Sequence, residues 1–116
     1  MPVPILKQGD TLIATIVAAL TDRELVEFRD QLAERIGAVR ARGVVIDVTA
    51  LDVLDSFATR TLRTIAQIAK LRGASAVIVG IQPTIALAMV QLGLTLDDVH
   101  TALDLETGLE LLRRPR

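Results

Sequence analysis

The chain has 116 residues, a formal net charge of −1 and a hydrophobic fraction of 51%. This length suits one domain with one core, and the apolar fraction excludes a disordered chain. Two aromatic residues and interleaved charges exclude the stacking platforms and broad basic fields that hold nucleic acids. Cysteine is absent and His100 is the only histidine, which excludes disulfides, thiolate chemistry and histidine-clustered metal sites.

The spacing of apolar residues predicts strands that alternate with helices. In chain order these are strands 3–8 and 11–18, a helix from Thr21 to a stop at Gly43, strand 44–48, helix 56–72, strand 76–80, helix 83–92, a short strand near Val99 and a helix 104–113. Gly9 and Asp10 suit a hairpin turn, and Thr21 and Glu24 have capping-box spacing.

This order, ββαβαβαβα, predicts a single α/β domain over residues 1–116. Strands that alternate with helices of this length indicate crossover connections, hence a mixed, mostly parallel sheet with an N-terminal antiparallel hairpin and about four helices. Loops at the carboxyl ends of parallel strands carry function in such sheets. Here those loops are 49–55, 80–82 and 100–103, and Ser56 borders the first.

Residues 73–96 carry no charge, yet they do not predict a membrane span. Gly80, Pro83 and Gly93 interrupt them, whereas a span needs about 20 predominantly apolar residues in one helix. The start, "MPVPILKQGD", lacks the pattern of a signal peptide, so we expect a cytoplasmic protein. Helix 83–92 is apolar on nearly every side, which fits either deep burial or a docking face.

Ser56 is the most prominent candidate for a functional side chain. One interpretation is a helix cap, in which Ser56 or Asp55 accepts hydrogen bonds from first-turn amides. The other is a phosphorylation site, because the amides and dipole at a helix start favour a phosphate. A phosphate would add about −1.5 to −2 charges beside Asp52 and Asp55. The residue pattern is compatible with both.

Catalysis has little support in the sequence. A nucleophilic Ser56 needs an adjacent base, its loop holds neither histidine nor lysine, and His100 has no evident orienting acid. Asp47, Asp52 and Asp55 suggest a magnesium-dependent phosphoryl acceptor, but the acidic pair and late lysine of receiver domains are missing. Glycine-rich phosphate loops are also absent, and "GIQPT" at 80–84 is interpreted as turn chemistry.

Three segments resemble the STAS domain family, the anti-sigma factor antagonists. They are "VVIDVTALDVLDSFATRTL", "GIQPTIALAMVQLGL" and "TALDLETGLELL", and the resemblance runs over practically the whole chain. The second and third segments narrow the resemblance towards the RsbS-type stressosome scaffold branch. A large N-terminal sensor domain, carried by RsbR-type relatives, is not among these residues, which favours the RsbS type.

The resemblance implies a non-enzymatic protein without cofactor or metal. Such scaffolds assemble with RsbR-type co-scaffolds, hold an RsbT-type serine kinase and release it when phosphorylated, and a PP2C-type phosphatase resets them. The family's acceptor serine falls on Ser56, in its "DS" motif. We expect Asp52, Asp55, Ser56, Phe57 and Thr59 to contact the partner, and a homodimer or larger assembly without nucleic acid or membrane. Alternatives are a freestanding antagonist that binds an anti-sigma kinase directly, and the receiver-type aspartate acceptor.

Overall fold

The computed structural model describes residues 3–96 and 99–113, and its elements follow the predicted order. They are β1 Ile5–Gln8, β2 Thr11–Thr15, α1 Asp22–Ala38, β3 Gly43–Asp47, α2 Ser56–Leu71, β4 Ser75–Val79, α3 Pro83–Gln91, β5 His100–Ala102 and α4 Leu105–Arg113. The sheet has the order β1-β2-β3-β4-β5, antiparallel between β1 and β2 and parallel elsewhere. The predicted mixed sheet with an N-terminal hairpin and four helices is therefore confirmed.

Several predicted boundaries are wrong, among them the end of the second strand, which is Thr15 and not residue 18. Helix α1 ends at Ala38 instead of reaching Gly43, and Arg40 follows with a φ of +52°. Gly43 is the first residue of β3, where a Cβ atom would lie 3.0 Å from Leu112 Cδ1. Residues 100–102 form β5, so the last carboxyl-end loop begins only at Leu103. A non-glycine residue in the left-handed region ends α1, and the sequence gives no signal for that conformation.

The sheet is covered by helices on both faces. Val44 and Ile46 of β3 pack with α1, α2 and α3, whereas Val45 between them faces α4. This alternation explains why β3 is apolar at successive positions. Parallel strands that are covered on both faces have such continuous apolar runs. The largest buried side chains of the helical layer are Phe28, Leu32 and Ile36 of α1 and Leu62 and Ile65 of α2.

Helix α3 is partly core and partly surface. Ile85 and Met89 are buried against the sheet, whereas Leu87 and Val90 are 59% and 76% exposed. The uncharged segment 73–96 is thus divided among β4, α3 and the turns around them. None of the helices in the described part of the chain has the length and apolar character that crossing a membrane requires.

The start of α4 provides a test of pH dependence. Asp104 accepts a hydrogen bond from the Thr107 amide at 2.8 Å, and this bond lowers the pKa of the Asp104 carboxyl below its ordinary value of 3.8. A carboxyl with a lower pKa in the folded state stabilises the fold above its unfolded pKa, and this stability is lost as the pH falls through the folded pKa.

We therefore expect the free energy of unfolding of Asp104→Asn to fall less than that of the wild type as the pH is lowered. Asparagine keeps the capping geometry but does not titrate. Urea denaturation from pH 7 to about pH 2 should show the wild type more stable at neutral pH, with the gap closing in acid. Parallel curves for the two proteins would contradict this expectation.

Candidate functional site

The candidate site lies at the carboxyl edge of the parallel strands, where the β3–α2 loop meets the β4–α3 loop. Backbone hydrogen bonds extend the sheet past the strand ends: Val48 N–H donates to the Val79 carbonyl at 3.0 Å, and Gly80 N–H donates to the Ala102 carbonyl at 3.1 Å. These bonds join the carboxyl ends of β3, β4 and β5, the edge from which the loop to α2 departs.

Asp55, not Ser56, caps helix α2. The Asp55 backbone is extended, its Oδ1 accepts from the Ala58 amide at 2.8 Å, and its carbonyl accepts from the Thr59 amide at 2.9 Å. Ser56 is the first helical residue and is partly exposed. Within residues 3–96 and 99–113 its hydroxyl makes no hydrogen bond. The prediction that the helix begins at Ser56 is confirmed, and the capping role belongs to its neighbour.

Thr59 carries the other hydroxyl of this turn, and its side chain is buried. It is 0% exposed, and its Oγ1 donates to the Asp55 carbonyl at 2.9 Å. Threonine hydroxyls in helices often bond back one turn in this way. Of the five residues predicted to contact a partner, Thr59 thus supports the turn, whereas Asp52 and Asp55 are exposed and Ser56 and Phe57 are partly exposed.

Hydrogen bonds fix the beginning of the β3–α2 loop. Asp47 Oδ1 accepts from the Thr49 amide at 2.9 Å and from Thr49 Oγ1 at 2.6 Å. Gln82 Nε2 donates to the Thr49 carbonyl at 2.8 Å across 33 positions of sequence. We call Asp47, Thr49, Gly80 and Gln82 the loop clasp.

Gly80 makes the loop clasp possible. Its φ is +81°, and a Cβ atom there would lie 2.8 Å from Thr49 Cβ and 3.0 Å from Thr49 Cα. Only glycine combines that conformation with so close an approach. The sequence indicated a turn at "GIQPT" but contained no sign that this turn touches Thr49, because the contact depends on how β3 and β4 pair.

Apolar side chains surround the start of α2. A pocket of about 50 Å³ beside Asp55 is lined on its other sides mostly by aliphatic residues, among them Ile16, Leu20, Leu51, Leu54 and Leu62. Val53, which also lines this pocket, is 66% exposed. The surface therefore combines two carboxylates, a free hydroxyl and aliphatic groups, which suits binding to another protein.

Among the described residues, the geometry does not assemble the side chains for a metal site or for a nucleophilic serine. In the described ranges no three His, Asp or Glu side chains group around a common point, and Asp47 is engaged by Thr49. His100 lies on the outermost strand, paired with Val77 in the middle of β4 and not at the carboxyl edge.

A five-stranded mixed sheet with this hairpin and these four helices is the fold of the anti-sigma factor antagonists. The STAS domain profile matches residues 3–108, and the chain belongs to the STAS domain family. Solved structures with about 12% to 15% identity, including the anti-sigma factor antagonist SpoIIAA, share this fold at TM-scores of 0.71 to 0.83.

Two solved structures are much more similar in sequence. A serine-to-glutamate variant of RsbS from Moorella thermoacetica is 39% identical, with 96% of this chain and 94% of that chain covered and a TM-score of 0.83. A chain of the stressosome, described as a signal integration and transduction hub, is 38% identical over 95% of this chain and 96% of that chain, with a TM-score of 0.76. The chain thus resembles RsbS over nearly its whole length.

A longer relative also matches. The RsbT co-antagonist protein RsbRA of Bacillus subtilis is 26% identical over 98 residues, which are 84% of this chain and 36% of that protein. The chain spans about a third of the length of this curated relative.

Proposed function

We propose that this protein is a non-enzymatic, cytoplasmic stressosome scaffold of the RsbS type, which sequesters an RsbT-type serine kinase and releases it when Ser56 is phosphorylated. The kinase would transfer the terminal phosphoryl group of a nucleoside triphosphate to Ser56 Oγ, which gives up its proton. The observation that carries this proposal is the difference between two hydroxyls: that of Ser56 is partly exposed and has no hydrogen bond to the described residues, and that of Thr59 is buried and hydrogen-bonded.

The charges beside Ser56 provide the switching mechanism. Asp52 and Asp55 are exposed on the same loop, and a phosphate adds about −1.5 to −2 charges next to them. An acidic kinase surface that tolerates the unmodified loop is repelled by the modified one. A loss of about 1.4 kcal/mol already weakens binding tenfold.

The surroundings of Ser56 suit the docking step. Val53 and the partly exposed Phe57 supply apolar contact area, and Asp52 and Asp55 supply polar contacts. Buried beneath this surface, Thr59 stabilises the first turn of α2 through the hydrogen bond from its hydroxyl to the Asp55 carbonyl. The loop clasp holds the beginning of the β3–α2 loop through hydrogen bonds, and a loop that is held before binding loses less conformational entropy on binding.

The relatives support the assembly. One similar chain comes from a solved stressosome, and another relative is an RsbT co-antagonist, so we propose an RsbR-type STAS protein as co-scaffold in a homodimer or larger complex. A PP2C-type phosphatase would remove the phosphate. A freestanding antagonist that binds an anti-sigma kinase directly would instead stay a small monomer or dimer when mixed with the co-scaffold.

The test is phosphorylation by an RsbT-type kinase from the same genome, with the wild type, Ser56→Ala and Thr59→Ala followed by intact mass. We expect one acid-stable phosphate on the wild type and on Thr59→Ala, and none on Ser56→Ala. An acid-labile phosphate would point to the aspartate acceptor, since acyl phosphates hydrolyse readily. A kinase that neither binds nor modifies the chain would overturn the proposal.

A further inference from the structure

We infer that Arg60 pairs with the phosphate on Ser56, so that phosphorylation withdraws a cation from the docking surface while it adds an anion. This pairing presupposes the proposed function, because it concerns the phosphate that the proposed kinase places there. Both residues belong to helix α2, Ser56–Leu71, in which Ser56 is the first residue and Arg60 follows four positions later.

Helix geometry brings the two side chains together. Residues four positions apart are neighbours on a helix surface, with about 5–6 Å between their Cβ atoms. Side chains also lean towards the helix N-terminus, so the Arg60 side chain extends over the turn that Ser56 begins. Arg60 is exposed and Ser56 partly exposed, whereas Thr59 between them is buried. The guanidinium of Arg60 can therefore reach a phosphate on Ser56 across open surface.

The Arg60 guanidinium is available for this pairing. In the described part of the chain it forms no ion pair or hydrogen bond, whereas Arg23 and Arg29 are paired with Glu27 and Asp30. A guanidinium binds phosphate through two parallel N–H donors. It is therefore a stronger partner for a phosphate than an ammonium group is.

Other cations are less well placed. The loops 16–21, 49–55 and 80–82 at the carboxyl edge contain no lysine or arginine. Arg63 is the next cation along α2, but it is seven positions, or about 10 Å along the helix axis, from Ser56. Its Nε is buried and lacks a hydrogen-bond partner in the described residues, and the residue is only partly exposed. Arg60 is thus the arginine of α2 that is nearest to Ser56 along the helix, and its guanidinium has no partner among the described residues.

Pairing changes what a partner meets at this surface. Before modification, Arg60 offers a free cation beside the two carboxylates of the loop, and a kinase carboxylate can bind it. After modification, the phosphate occupies Arg60 from within the same helix, and the partner loses this contact. Phosphorylation thus removes the attraction between Arg60 and a kinase carboxylate and adds repulsion between the phosphate and the kinase. Both effects lower the affinity for the kinase.

The test uses protein in which phosphoserine is installed at position 56 during translation, so that no kinase is needed. The ³¹P chemical shift, followed against pH, gives the second pKa of the phosphate, which is ordinarily about 6. We expect this pKa to lie about 0.3 pH units lower in the wild type than in Arg60→Gln, because a nearby cation favours the dianion. Arg60→Lys should fall between them, and about 1 M salt should close the gap.

Arg42→Gln is the matched control. It also removes one exposed positive charge, but Arg42 lies at the opposite edge of the sheet, where its amide donates to the Asp10 carbonyl. We expect it to leave the phosphate pKa at the wild-type value. An Arg60→Gln protein that titrates like the wild type, or a shift that appears in Arg63→Gln instead, would overturn the pairing. If the shift appears but an RsbT-type kinase never modifies Ser56, the pairing stands and the proposed function fails.

Discussion

Replacing Gly80 with alanine is expected to lower the free energy of unfolding by roughly 2 to 4 kcal/mol. Two costs add at this position. A non-glycine residue is strained at a φ of +81°, and the new Cβ would lie 3.0 Å from the Thr49 backbone and nearer still to the Thr49 side chain. Because backbone is involved, the clash is relieved only by moving the β3–α2 loop, which breaks the loop clasp.

Gly93→Ala separates these two costs. Gly93 has a φ of +70°, but a Cβ atom there would meet nothing within 4 Å, so we expect a loss of only about 1 to 2 kcal/mol from backbone strain. Urea denaturation of the wild type and both variants measures the difference. Equal losses would mean that the contact with Thr49 contributes nothing. We also expect Gly80→Ala, and not Gly93→Ala, to slow modification of Ser56, because only Gly80 supports the loop that precedes it.

Phosphorylation of Ser56 is expected to weaken kinase binding at least tenfold, which corresponds to about 1.4 kcal/mol. The physical reason is the new charge of about −1.5 to −2 beside Asp52 and Asp55, in a contact where water is partly excluded. Calorimetric titration of the kinase into unmodified and phosphoserine protein gives both affinities. Most of the loss should appear as faster dissociation, because mutations and modifications within one interface act mainly on that rate.

The controls for this experiment distinguish charge from a change of shape. Ser56→Ala, treated with the kinase and triphosphate, should bind the kinase more tightly than the phosphoserine protein does, because it cannot acquire the negative charge. The loss on phosphorylation should shrink as salt is raised, because surface charges are screened within about 8 Å at physiological ionic strength. Equal affinities for modified and unmodified protein would refute release by phosphorylation.

Local chemistry explains why most of the architecture could be predicted. The capping box of α1 forms as its spacing indicated, with the Glu24 amide donating to Thr21 Oγ1 at 3.1 Å and the Thr21 amide donating to Glu24 Oε1 at 2.9 Å. Pro83 begins α3, the start of the predicted helix 83–92, and Gly73, directly after α2, has the positive φ that glycine commonly adopts at a helix end. Each of these signals involves residues within one helical turn, so an amino-acid pattern is enough to show it.

The errors arose where the chain used a conformation that its residue type does not signal. Helix α1 ended at Ala38 because Arg40 takes a left-handed conformation, and Gly43, interpreted as the stop, belongs to β3. Whether Ser56 or Asp55 caps α2 was left open by the sequence, because both residues have a side-chain oxygen suited to that role, and the structure places Asp55 there. A pattern of residue types cannot decide between two adjacent residues that are chemically capable of the same bond.

The sequence by itself determined the order of strands and helices, the start of α2 at Ser56 and the acidic loop beside it, because these follow from periodicity and capping within short segments. Only the tertiary structure decided that Thr59 is buried while Ser56 is free, that one face of α3 is core, and that Gly80 and Gln82 hold Thr49. These features depend on the register of β3 against β4 and on the packing of helices over the sheet. Such contacts join residues far apart in the chain, and no local pattern encodes them.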